Sequence, residues 1–466
     1  MNWMNSIKQK KMKKRFYLIY GILGVVALEG CNALLNVEPE EYVSDQGIIV
    51  DQSSAENALN GAYRGAGSGL ASSIVSWNIA ADNIVSFSRQ GTIIAYLQPS
   101  VAAADRTNGY GYNGNYTAIN RANAVIANVQ TLSRDLFAGN SMEKILAQAF
   151  TLRALSYINL TVTFGAVPIV IQPSTATNQN GIKQSSRKDV FAQILSDLDQ
   201  AETLFGSDQS ISDKGRISLW AVYALKARVY LYTGQWEEAE QYAAKIINNT
   251  SLFGLTDTPE GFFLTKKSRE SIFEFVYSNA NKLPFRTYYW PSTIGGMQDY
   301  CVPPDLYNKL NDPEIGGNRR QLIFYGSAAQ SYFVNEYALT DGSSSIQTAR
   351  LAEQYLIRAE ARLKKAIPDR NGAIEDINAI KTRAGVPLLT AAPGNEELLL
   401  VLEDERRYEL AFEGHRYFDI IRTGRAPEVF GVYEPRYLDP RFWVFPFPYS
   451  LVLAYDSDLE QNEAYR

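Results

Sequence analysis

Across residues 217–233 apolar side chains return every three or four positions. Val222, Leu225, Val229 and Tyr232 form one stripe, and Trp220, Ala224, Ala227 and Leu231 form a second. The spacing predicts a helix, and a helix apolar on two sides packs between neighbours. Gly234 is placed to end it as a C-terminal cap. Trp236, Ala239, Ala243 and Ile246 then give the next helix its apolar face. The whole helix-turn-helix unit takes about 33 residues, close to the tetratricopeptide period.

The pattern recurs. Residues 349–365 carry Leu351, Tyr355, Ala359 and Leu363. Residues 371–383 carry Ile374, Ile377 and Ile380, with Pro368 and Gly372 marking the turn between the two segments. Residues 145–164 and 189–205 predict another pair, parted by a long insertion. No unit buries its own apolar face, so several must stack. Three stretches break the period. Residues 66–117 are rich in Gly, Ser, Asn and Tyr. Residues 252–345 hold Pro, Gly and aromatic clusters with a strand-like segment at 271–277, and 426–458 are similarly irregular. The expected fold is mainly α: tetratricopeptide-like helical repeats with long irregular excursions. Such excursions commonly carry function.

Composition narrows the function. The chain has 46% hydrophobic and 20% charged residues, the balance of a globular protein with a sizeable core. It has 29 Tyr, 21 Phe and 6 Trp; Tyr joins an apolar ring to a polar tip and suits wet binding surfaces as well as helix packing. The formal net charge is −5, and residues 1–30 hold six basic side chains against Glu29, a net of +5, so the rest of the chain stands at −10. Phosphates would repel such a chain, which argues against a nucleic-acid partner. Cys31 and Cys301 are the two cysteines and His415 the one histidine. That excludes a Cys/His zinc site and a disulfide framework, and no metal or cofactor is expected.

At the N-terminus Lys13, Lys14 and Arg15 precede an apolar run over residues 16–27. The run is too short for a bilayer, which needs about 20 apolar residues, and it reads as a secretory signal. Met12-Lys13-Lys14-Arg15 reads as a natural start, with Met12 the expected initiator. The run ends in Leu28-Glu29-Gly30-Cys31, which resembles a bacterial lipobox; Glu29 departs from the small or hydroxyl residue preferred there. The resemblance implies cleavage before Cys31 and lipid on its side chain. The expected organisation is a lipoprotein signal peptide over 1–30, a lipidated tether over 31–45 and a single domain over 46–466. No later run approaches about 18 continuous apolar residues, so the lipid is the only expected link to a membrane.

Short blocks in a fixed order then resemble one family. They are Asn57-Ala58-Leu59-Asn60-Gly61-Ala62-Tyr63, Asn120-Arg121-Ala122-Asn123, Arg153-Ala154-Leu155-Ser156-Tyr157, Phe164-Gly165-Ala166-Val167-Pro168 and Gly215-Arg216-Ile217-Ser218. Arg350-Leu351-Ala352-Glu353, Ile357-Arg358-Ala359-Glu360-Ala361 and a closing Gln461-Asn462 follow. The most specific is the stretch from Glu405-Arg406-Arg407-Tyr408-Glu409 through Phe412-Glu413-Gly414-His415-Arg416 to Asp419. Together they resemble the SusD/RagB family of outer-membrane lipoproteins from Bacteroidetes. The resemblance implies four tetratricopeptide-like units and no catalysis. It implies a surface-facing lipoprotein that captures oligosaccharides, or in some members peptides, for a SusC-like TonB-dependent transporter.

Two regions supply aromatic planes beside polar groups, the pairing that sugar faces and hydroxyl rims require. The first holds Trp77, Asn78, Asp82, Arg89, Tyr110, Tyr112, Asn113, Asn115 and Tyr116. The second holds Arg286, Tyr288, Tyr289 and Trp290. The resemblance puts the family's pocket in these two regions, with core packing the competing role for each aromatic. One enzymatic reading competes. Glu405, Glu409 and Glu413 recur every four residues, so a helix would align them, and paired carboxylates can cut glycosidic bonds. Arg406, Arg407, Arg416 and Arg422 nearly match them in number, which predicts a structural ion-pair network instead, with His415 inside it. An adaptor that binds only protein is a third possibility for a tetratricopeptide-like chain.

Overall fold

The computed structural model describes residues 49–87, 109–174, 183–390, 393–452 and 458–466. The leader, Cys31, the tether to residue 45 and Arg89 lie outside the described residues. Asp51–Arg466 form one compact unit.

Its helices are α1 (Gln52–Ala80), α2 (Tyr112–Val129), α3 (Ser141–Phe164), α4 (Arg187–Phe205), α5 (Leu219–Thr233), α6 (Trp236–Ile247), α7 (Leu351–Lys364), α8 (Arg370–Ala384), α9 (Asn395–Glu409) and α10 (Arg416–Arg422), with shorter turns between them. They pair in order: α1 with α2, α3 with α4, α5 with α6, α7 with α8. Successive pairs stack, α2 on α3, α4 on α5 and α6 on α7. The repeat therefore continues across the long excursion between α6 and α7. Trp220, Ala224 and Leu231 of α5 bury against Ala239, Ala243 and Ile246 of α6 and against Ile357 of α7, the faces the periodicity predicted. Gly234 caps α5 in the left-handed region, at φ 75°. The residues of α3 from Ala149 to Phe164 are all buried. The helix is long and apolar enough to cross a membrane, but its whole apolar window is buried inside the protein, the place of a core helix.

The reading of 66–117 as an excursion is corrected at its two ends; residues 88–108 lie outside the described residues. Residues through Ala80 belong to α1, and α2 begins at Tyr112. A glycine inside a helix costs about 1 kcal/mol relative to alanine, which is why Gly65, Gly67 and Gly69 suggested a loop. Their use is close approach. A Cβ on Gly65 would stand 2.9 Å from the Ala118 amide nitrogen, one on Gly69 2.7 Å from that of Asn115, and one on Gly114 2.6 Å from that of Gly69. The two backbones touch, and no larger residue fits between them. A capping box starts α1: the Asp51 carboxylate accepts the Ser54 amide at 2.8 Å and the Ser54 hydroxyl accepts the Asp51 amide at 3.0 Å.

The described strands are short: β1 (Val85–Ser86), β2 (Ser271–Phe275), β3 (Tyr300–Cys301), β4 (Ile323–Gly326), β5 (Ser331–Val334) and β6 (Ile346–Arg350). The predicted strand at 271–277 is β2, fully buried and antiparallel to β6. Residues 349 and 350, expected in a helix, end β6 before α7 begins. β1 pairs with β3, Val85 opposite a buried Cys301, and β4 pairs with β5. The β1–β3 pair ties the second aromatic region to the end of α1. One further expectation changes: α9 stops at Glu409, and the chain turns through Phe412 at φ 67°, so Glu413 is not on the helix with Glu405 and Glu409.

Candidate functional site

The charged C-terminal block folds inward. Arg350, 1% exposed, donates to Glu270 at 2.8 Å, to Glu409 at 2.7 Å and to Glu413 at 2.7 Å. Arg319 bonds Glu405 and Glu409, and Arg383 bonds Glu270 and Glu409. Burial opposes ionisation of Glu409, yet Arg383, Arg350 and Arg319 hold its carboxyl well below the usual range. Arg406 pairs with Asp419, and Arg422 with Glu360. His415 is buried nearby, and burial pulls its pKa down to about 4, so the imidazole is neutral at pH 7. The carboxylates that tempted a hydrolytic reading are buried and held by guanidiniums. This is the ion-pair network that the residue balance predicted.

The open site lies elsewhere. A cleft of about 830 Å³ runs along α1, within the range of small-ligand sites. One wall is a stripe at helical spacing, Asn60, Arg64, Ser68, Ser72 and Val75; the other comes from Phe275–Tyr277 and the chain over residues 281–300. Short side chains on α1 leave the space. A Cβ on Gly67 would stand 3.1 Å from the Phe275 ring and 3.3 Å from the Tyr277 hydroxyl.

Tyr63 anchors one end. Its hydroxyl donates to Gln148 at 2.7 Å and accepts the Ile217 amide at 2.8 Å, and burial pushes its pKa up. The Arg216 guanidinium lies 4.4 Å above the Tyr63 ring and donates to Asn60 at 2.6 Å. At the far wall stand Tyr288, Tyr300 and Asp299. Burial raises the Asp299 carboxyl. The Asp299 amide donates to the Tyr288 carbonyl at 3.1 Å, which ties the two together. Rings for apolar faces and amides, hydroxyls and cations for a polar rim suit a flat ligand rich in hydroxyls.

Of the residues singled out from the sequence, Tyr288 lines this cleft. Most of the others serve the fold. Trp77 is buried and donates to Thr163 at 3.0 Å; Asn78 is buried and donates to the Phe412 carbonyl at 2.7 Å. Asp82 accepts Arg416 at 2.7 Å and Arg407 at 3.1 Å. Tyr110 packs edge-on to Phe445, and Tyr112 against Tyr116, Phe164 and Phe447. Asn115 is buried and donates to the Gly111 carbonyl, while Tyr116 donates to that of Pro168. Tyr289 is fully buried among Phe285, Tyr300 and Tyr337. Trp290 donates to the Val334 carbonyl, with Arg286 stacked 4.2 Å over its ring. Asn113 is exposed on the first turn of α2. Asn60, Arg64, Arg216, Tyr277 and Lys282 were missed. The signal was the Asn60, Arg64, Ser68, Ser72 spacing, which is visible only once 66–80 is read as helix.

Comparison with known proteins places this architecture. A family model described as the SusD family matches residues 327–436, and one described as starch-binding associating with outer membrane matches residues 35–231. The SusD-like protein P38 of Formosa agariphila is 25% identical, over 96% of this chain and 98% of its own. The SusD-like protein P2 of the same organism is 24% identical over 75% of this chain and 79% of its own. Among solved structures, a laminarin-binding SusD-like protein superposes with a TM-score of 0.73 at 22% identity, covering 90% of this chain and all of that one. A SusD-like carbohydrate-binding protein from Bacteroides fragilis gives 0.69 at 21%, covering 81% and 87%. The structures share the fold; the models match both the first helices and the charged block near the C-terminus. Family models over residues 35–231 and 327–436, with relatives of that kind along nearly the whole length, together support the SusD/RagB family for this chain.

Proposed function

We propose that this protein is a lipid-anchored glycan receptor that captures oligosaccharides in the α1 cleft and passes them, uncut, to a TonB-dependent transporter. The observation that carries this reading is the cleft itself. It offers Tyr63, Tyr277, Tyr288 and Tyr300 around a space large enough for more than one sugar ring, with Asn60 and Asn281 at its polar rim. The family model over residues 35–231, described as starch-binding associating with outer membrane, supports both the ligand class and the location. Binding without turnover is supported by the state of the Glu405–Glu413 carboxylates, each held by arginine.

Titration calorimetry against a glycan panel tests the binding. A micromolar to millimolar interaction is expected for a ligand left partly solvated, weakened in Tyr288→Ala. A panel without heat sinks it, and a rise in reducing ends during incubation would reinstate hydrolysis. The anchor is tested apart from the cleft: labelled palmitate is expected to enter the wild type and not Cys31→Ala. Co-purification of a large barrel protein with the solubilised receptor tests the transporter partnership.

A further inference from the structure

We infer that the cleft selects an acidic glycan, one carrying carboxylate or sulfate groups, with Arg64, Arg216 and Lys282 receiving its charge. This rests on the reading of the cleft as a glycan site. Beyond residue 30 the chain is at −10, yet among the described residues three cations line the cleft against the carboxylate of Asp299. The sign of the protein is reversed where the ligand would sit.

The pairing state of these cations is the second observation. Arg350, Arg319, Arg383, Arg228 and Arg422, inside the fold, each meet a carboxylate. Arg64, Arg216 and Lys282 form no ion pair with a described carboxylate. Arg64 and Lys282 are exposed. Arg216 is half-buried and held by neutral groups, the Asn60 amide oxygen at 2.6 Å and the Tyr63 ring. The carboxylate on that side, Asp213, is occupied by Lys267 at 2.7 Å and by the Gly215 amide at 2.7 Å. Asp213 is close enough to feel the Arg216 charge but makes its ion pair with Lys267; a guanidinium bonded to neutral partners in a walled cleft is prepared for an incoming anion. A neutral glycan can use these cations only as hydrogen-bond donors to its hydroxyls; an acidic one also gains from their charge.

The test uses the full-length protein in detergent and ligand pairs that differ only in charge. One pair is oligogalacturonate and its methyl ester; the other is a sulfated polysaccharide and its desulfated form. The charged member of at least one pair is expected to bind about tenfold more tightly at low salt, with the advantage shrinking as salt screens it. Which pair shows it separates carboxylate from sulfate recognition. Arg64→Gln and Lys282→Gln are expected to reduce that preference about two- to five-fold each. Both side chains are exposed, so the melting temperature reports whether either variant has disturbed the fold. Equal binding of charged and neutral members, or a preference that survives the double variant, overturns the inference and leaves the glycan receptor standing. No binding by any member sinks the receptor reading and this inference with it.

Discussion

Arginine is used in opposite ways in two regions of this molecule. Around Arg350 each guanidinium is buried and its charge is cancelled by Glu270, Glu409 or Glu413. Along the cleft Arg64 and Arg216 face open space, and Asn60 and Tyr63 orient Arg216 without neutralising it. The core can keep a charge out of water only by pairing it. The cleft can keep one unpaired because solvent, or a ligand, completes it. The same residue type therefore reports stability in one place and recognition in the other, and counting charges along the chain does not distinguish them.

The sharpest way to break this comparison is to remove a central guanidinium. Arg350→Met strands the buried Glu413 carboxylate, takes one of their guanidiniums from Glu270 and Glu409, and is expected to cost about 3–5 kcal/mol, read as a fall in the urea midpoint at constant slope. A loss below about 1 kcal/mol would mean that the network is not what holds this part together.

Proton uptake probes the same region. His415 is held at about 4 by burial, against about 6.5 for a free imidazole. The unfolded chain therefore takes up a proton first as pH falls through 6.5, and folding loses stability down to pH 4, by roughly 3 kcal/mol in full. Glu413 is shifted upward by burial and works in the opposite sense, so the signature is a difference: between pH 6.5 and 4, His415→Gln should lose less stability, or gain more, than the wild type as pH falls. Parallel profiles would show that the imidazole takes up its proton in the fold as readily as in the unfolded chain.

Helix α1 carries both regimes on adjacent faces. Gly69→Ala drives a methyl into the α2 backbone and is expected to cost about 1–3 kcal/mol, despite alanine's better helix propensity. Ser68→Ala, one residue away on the cleft face, should change stability by no more than about 0.5 kcal/mol. Equal costs would erase the distinction between the faces. The smallest effect on folding is expected from Tyr288→Ala, within about 0.5 kcal/mol, with a loss of glycan affinity of about 3- to 10-fold. An unchanged affinity would move the ligand away from the second aromatic region.

Much of this was legible along the chain. The α5–α6 unit, α7 with α8, and α3 with α4 follow from apolar periodicity, because the stripe that meets a neighbour must recur every turn. The arginine and glutamate balance of residues 405–422 announced an ion-pair network. The misreadings share one cause. Glycines in α1 and aromatics such as Tyr110, Tyr112 and Tyr289 have two uses that look alike in a linear chain. Gly65 can open a loop or admit a neighbouring backbone, and Tyr289 can stack on a sugar or fill a core. The cleft escaped notice because its first wall is the polar stripe of a helix whose glycines disguised it.

Periodicity, capping residues and charge balance are local quantities, so the residues alone were enough to establish stacked helical pairs and a neutralised acidic-basic block. The basic and apolar run before Cys31 is also local, and the leader and anchor expected from it lie outside the described residues. Which arginines meet carboxylates is another matter. Arg416 finds Asp82 across 334 residues, and Arg216 finds Asn60 across 156. Only packing sets those distances. It was packing that closed α2 over the glycine face of α1 and left the neighbouring face, with Arg64 on it, open along the cleft.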